Sequence, residues 1–181
     1  MLPPGAVSLV NEDWSGSHLA LCAQTGEPAI KRGARTIAQT AVWAGDASAV
    51  HKLAAGPGAC DPAWSPDGKR LAVTAADGLW IFPAESAAGA LVAESRVPAG
   101  QSTEFTYRAF SHPAWSPDGD LVALVVTNGG ISWVEVYDAL GGALFYTSPP
   151  DSSSFSWGAT ARDLKVGDLN VRLPAFPPTG R

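Results

Sequence analysis

The heptapeptide Pro62-Ala63-Trp64-Ser65-Pro66-Asp67-Gly68 returns 51 positions later as Pro113-Ala114-Trp115-Ser116-Pro117-Asp118-Gly119. An internal repeat of this length constrains the fold more than any other feature of the chain. Each copy runs into an apolar stretch, Leu71-Ala72-Val73-Thr74 and Leu121-Val122-Ala123-Leu124. Two weaker copies flank them: Trp14-Ser15-Gly16-Ser17 before Leu19-Ala20-Leu21-Cys22, and Ser156-Trp157-Gly158-Ala159 before Leu164-Lys165-Val166. Four tryptophans therefore recur at spacings of 50, 51 and 42 residues. That is the period of four-stranded units arranged as propeller blades, roughly 40–50 residues each.

The motif has a direct physical reading. Pro66 presets φ for the second position of a tight turn, and Asp67 suits the third. Gly68 then takes the left-handed conformation that a hairpin with a bulge requires. The tryptophan ends the strand before the turn, and its ring is large enough to wedge between neighbouring sheets. On this pattern the second blade reads as strands at Ala63–Trp64, Leu71–Thr74, Gly78–Pro83 and Leu91–Val97. The third reads as Ala114–Trp115, Leu121–Thr127, Ile131–Tyr137 and Ala143–Thr147. The first runs from Trp14 through Leu19–Ala23, Ile37–Trp43 and Val50–Leu53. No stretch has the period of an amphipathic helix. The expectation is an all-β β-propeller of about four blades in one domain, with blades near 11–57, 58–108, 109–150 and 151–173.

The Trp-Ser-Pro-Asp-Gly turn followed by Leu-Ala-Val resembles the repeat of the TolB-like propellers, relatives of the WD-repeat group. The resemblance is strong over residues 58–140 and weak at both ends, where the first blade has Ser-Gly-Ser in place of the turn and the fourth lacks the Pro-Asp-Gly turn. Propellers of that group usually have six or more blades, so the resemblance implies a small or partial member.

The last blade lacks an outer strand, since Pro174, Pro177 and Pro178 end any strand after Leu173. The unclaimed apolar stretch Ala6-Val7-Ser8-Leu9-Val10 is therefore expected to complete it and close the ring, removing exposed edges. The competing outcome is an open arc that pairs with another chain.

Charged residues make up 16% of the chain and the net charge is −5, which disfavours nucleic acid as a partner because no basic face is available to displace counterions. Lys31, Arg32 and Arg35 read as a solvated loop. No basic leader and no apolar run of membrane-spanning length is seen, so the expected place is the cytoplasm or the cytoplasmic face of a membrane complex, with the periplasm open for a processed form. Cys22 and Cys60 read as two small buried thiols, with a single disulfide open if they meet across blades.

No nucleophile elbow, phosphate-binding loop or Ca²⁺ loop occurs, and neither a metal nor a cofactor is expected. Asp67 and Asp118 have a structural place in the turn. Two candidate surfaces remain. Asn11, Asp61, His112 and Ser154 lie three residues before each blade tryptophan, where the innermost strands would gather them round one mouth of the central channel. The segment Thr103–Phe110 packs Phe105, Tyr107 and Phe110 beside Arg108, a composition found at binding hot spots. The expected function is a non-catalytic interaction or scaffold subunit bound to proteins of a larger assembly. The alternative is a ligand-binding or enzymatic propeller that uses the channel mouth.

Overall fold

A computed structural model describes residues 2–32, 35–37, 39–46, 48–96 and 108–174. Among them there are strands and turns but no helix. The first blade contains β1 (Ser8–Ser15), β2 (His18–Gln24), β5 (Thr40–Asp46) and β6 (Val50–Lys52), paired antiparallel in the order β1-β2-β5-β6. A separate two-stranded ribbon, β3 (Ile30–Arg32) with β4 (Arg35–Ile37), interrupts it. The second blade is β7 (Cys60–Trp64), β8 (Arg70–Ala75), β9 (Gly78–Pro83) and β10 (Ala90–Glu94). The third is β11 (Ala109–Trp115), β12 (Leu121–Asn128), β13 (Ile131–Asp138) and β14 (Leu144–Thr147). The fourth has three strands, β15 (Phe155–Trp157), β16 (Asp163–Val166) and β17 (Leu169–Arg172). This is an all-β propeller-type arc.

The repeated turn closes identically in its two full copies. The Ser65 amide donates to the Arg70 carbonyl, the Gly68 amide to the Ser65 carbonyl, and the Arg70 amide to Ser65 Oγ. Ser65 Oγ donates in turn to Asp67 Oδ1 at 2.7 Å. Ser116, Asp118, Gly119 and Leu121 repeat every one of these bonds. Gly68 and Gly119 have φ of 68° and 79°, the left-handed region that a Cβ makes unfavourable. These bonds hold the Asp67 carboxyl below the usual carboxylate range, the Ser65 hydroxyl first and the Lys69 amide second. Asp67 therefore works as an ionised acceptor inside the turn.

Each internal blade tryptophan points back at the preceding blade. Trp64 packs with Ala20, Cys22, Val42 and Ala44 of the first blade. Trp115 packs with Ala72, Leu79, Ile81 and Ala93 of the second. Trp157 packs with Leu121, Ala123, Val134 and Val136 of the third. The indole is also bonded across the junction: Trp115 Nε1 donates to the Ala63 carbonyl at 2.8 Å and Trp157 Nε1 to the Ala114 carbonyl at 3.1 Å. At the first junction the Asp13 carboxylate accepts from the Trp64 amide instead, at 2.7 Å. Side chains that follow the preceding blade's turn also approach the ring, with His18 5.3 Å from Trp64 and the Arg70 guanidinium 5.0 Å from Trp115.

Four sequence expectations are corrected here. The N-terminal strand does not complete the last blade: Ser8 pairs with Gln24 and Leu9 with Ala23, so it is the start of β1. Seven residues of β1 pair along β2, with one bulge at Val10, a length that the three-stranded last sheet does not match. Ile37 belongs to the ribbon, where it pairs with Ile30, and the third strand of the first blade begins at Thr40. Lys31, Arg32 and Arg35 accordingly lie on ribbon strands rather than in a loop. Cys22 and Cys60 form a disulfide, not two thiols, and it ties β2 of the first blade to β7 of the second.

Candidate functional site

The innermost strands of the first three blades each carry a β-bulge, at the same place in the second and third and one position earlier, at Val10, in the first, where Asn11 itself pairs with Cys22. The register shifts between Leu9 and Asn11 in β1, between Cys60 and Ala63 in β7, and between Ser111 and Ala114 in β11. A bulge turns one residue out of the ladder and re-aims its side chain. At Asp61 and His112 the backbone reaches positive φ, 47° and 52°, a conformation that non-glycine residues hold only when their surroundings enforce it.

These bulges bring three of the four mouth residues into one network. Asn11 Nδ2 donates to Asp61 Oδ1 at 2.9 Å, and the His112 amide donates to Asp61 Oδ2 at 3.3 Å. The Asp61 carboxylate thus bridges blades one, two and three, while the His112 side chain stays exposed. Ser154 does not bond to the others. It lies across a groove of roughly 440 Å³ from His112, with Ser153, Phe155 and Trp157 along the same wall.

The second expected surface is not supported in the form the sequence suggested. Phe105 and Tyr107 lie outside the described residues. Phe110 is buried, packed with Trp115, Val126 and Tyr137 between blades two and three. Arg108 is not turned to a partner's carboxylate: its guanidinium holds both oxygens of Glu135 at 2.8 and 2.9 Å and the Glu94 carbonyl at 3.0 Å. It also lies 5.1 Å from the Phe110 ring. The guanidinium is therefore engaged within the chain.

Sequence reasoning missed Glu135, a buried acid in the middle of β13. Its carboxylate also accepts from Trp133 Nε1 at 2.8 Å and from the Tyr137 hydroxyl. Burial first, then the Glu135 charge, pushes the Tyr137 hydroxyl above the usual phenol range, so it remains a donor. Strict alternation in Trp133-Val134-Glu135-Val136-Tyr137 is the available signal: it puts the acid on the same face as two aromatic side chains that carry donors. Among the described residues no group of three His, Cys, Asp or Glu side chains is placed to hold a metal ion.

No family of known proteins and no curated protein sequence matches the chain. Solved structures do. The chain is similar to the Pyrococcus horikoshii acylaminoacyl peptidase, with a TM-score of 0.61 and 14% identity over 87% of this chain and 27% of that one. It is similar to TolB from Acinetobacter baumannii, with a TM-score of 0.52 and 14% identity over 89% of this chain and 41% of that one. The chain therefore spans well under half of either protein. Likeness at this identity shows the fold alone: a small, partial β-propeller.

Proposed function

We propose that the protein is a non-catalytic interaction module that holds a segment of a partner protein along the mouth formed by its inner strands. The observation that carries this reading is the Asp61 carboxylate, which ties Asn11 and His112 of the two neighbouring inner strands together beside the groove at Ser154. Left-handed backbone at two non-glycine positions costs about 1–3 kcal/mol each, and strain of that kind clusters at binding sites. Both oxygens of Asp61 accept internal hydrogen bonds, which suits a fixed scaffold better than a base that must move a proton. Exposed His112, hydroxyls at Ser153 and Ser154, and the rings of Phe155 and Trp157 offer the mixture of polar and aromatic contacts that peptide surfaces use.

One observation favours a second reading. A groove of roughly 440 Å³ is within the range of small-ligand pockets, so the mouth also fits a small polar ligand with an apolar ring. The Cys22–Cys60 bridge bears on location as well: disulfides persist in oxidising compartments, and the bridge favours the periplasm or exterior over the cytoplasm.

Affinity capture from native cells with the wild-type chain and a His112→Glu/Ser154→Glu variant tests the reading. The bulky charges are expected to reduce partner occupancy about tenfold or more, near 1.4 kcal/mol, with the thermal unfolding midpoint unchanged. Undiminished occupancy removes the mouth from the interface. A small molecule seen by native mass spectrometry in the wild type alone supports the second reading.

A further inference from the structure

The two ends of the arc differ. In each of the first three blades, the residue of the second strand paired with the position just before the tryptophan is alanine. These are Ala20 opposite Asp13, Ala72 opposite Ala63 and Ala123 opposite Ala114. Each alanine belongs to the cluster that receives the next blade's tryptophan. In the last blade the same register holds Lys165, opposite Ser156. The neighbouring third-strand register, Ala44, Ile81 and Val136 in the first three blades, holds Asn170 in the fourth. Lys165 and Asn170 are exposed, and Arg172 beside them pairs with Asp163 at 2.7 Å. A charged outer face where its predecessors are apolar marks a terminal, capping repeat.

The first blade has the opposite character. Trp14 occupies the register of Trp64 and Trp115, opposite Leu19 as they are opposite Leu71 and Val122. It is 54% exposed, against 7% for each of the other two. Val10 and Leu9 on the same strand are exposed as well. Farther out on this sheet, Ala23, Ala41 and Trp43 are buried with Ala6 and Val50 packed against them. Glu12, paired with Leu21, is an exposed acid on this face between Trp14 and Leu9, so the inner strand presents apolar side chains on either side of one carboxylate without the sheet that covers the internal junctions.

We propose that this face is a docking surface for a propeller-type β-sheet of a partner polypeptide, seated on Trp14, and that Lys165 and Asn170 stop copies of this chain from seating on one another. The internal junctions define the partner's chemistry: a small residue, alanine or glycine, in its second strand under the Trp14 ring, and a free backbone carbonyl on its inner strand for the Trp14 Nε1. The surface is centred on Trp14 and involves neither His112 nor Ser154, so its test is independent of what the mouth holds.

The chain itself supplies the probe. Lys165→Ala/Asn170→Val gives the last blade the outer face of an internal one while leaving the Ser156 carbonyl in place. In sedimentation equilibrium the wild type is expected to remain at 18.7 kDa, and the double variant to associate head to tail. Adding Trp14→Ala is expected to abolish that association. Lys165→Ala alone, at an exposed position, is expected to act in the same direction more weakly, and serves if the double variant folds poorly by circular dichroism. Variants that stay monomeric at the highest soluble concentration overturn the proposal, as does association that survives Trp14→Ala. Wild-type self-association lost on Trp14→Ala would make the occupant a second copy, and would equally overturn the capping role of Lys165.

Discussion

Trp115→Ala is expected to lower the unfolding free energy by about 3–5 kcal/mol, whereas Trp14→Ala is expected to change it by less than about 1 kcal/mol. The two residues have the same place in the repeat and differ in what covers them. Trp115 is buried against Ala72, Leu79, Ile81 and Ala93, and its indole satisfies the Ala63 carbonyl. Truncation leaves a cavity between two sheets, an acceptor without its donor, and an Arg70 side chain without its ring. Trp14 is largely in solvent, so its loss opens no comparable void. Urea unfolding of the two variants, with equal slopes, measures the difference. Equal losses at both positions would mean that the first blade is covered.

Arg108→Met is expected to destabilise by about 3–5 kcal/mol, because removing one partner of a buried pair strands the other charge. Glu135 would keep only its bonds to Trp133 and Tyr137. Arg108 also ties the ends of blades two and three through the Glu94 carbonyl and through its own amide, which donates to the Ser95 carbonyl. The double variant Arg108→Met/Glu135→Leu is expected to recover most of the loss, since an apolar pair of similar volume removes the desolvation penalty. A single variant as stable as the wild type would show that the carboxylate reaches water.

The repeat made the middle of the molecule legible. Trp64 to Gly68 and Trp115 to Gly119 encode their turns in short-range chemistry, a serine, a proline, an aspartate and a glycine acting on one another within six residues. The ends were less legible because their identity depends on distant pairing. Residues Ala6 to Val10 are simply apolar, and only the length of β2 decides that they extend the first blade. The ribbon at Ile30–Ile37 interrupts a repeat that pattern reasoning had treated as continuous.

The mouth was partly readable, since the offset of three residues from each tryptophan picked out Asn11, Asp61 and His112. What that offset does not carry is the bulge, which depends on the partner strand's register. Arg108 was assigned outward because an arginine among aromatic residues has the composition of an interface. Its acceptor, Glu135, lies 27 residues away on a strand whose other features all read as core. The capping role of Lys165 emerges only when four sheets are aligned register by register, because one lysine in a short strand is otherwise unremarkable surface.

The open first-blade face is most directly tested by hydrogen exchange at the tryptophan indoles, followed in ¹⁵N-resolved spectra of the monomer. Trp115 and Trp157, whose Nε1–H groups donate to carbonyls of the preceding blade, are expected to be protected. Trp14 is expected to exchange at a rate close to that of a solvent-exposed indole. Protection of Trp14 equal to that of Trp115 in the monomer would contradict the account, because it would require the arc to be closed on itself.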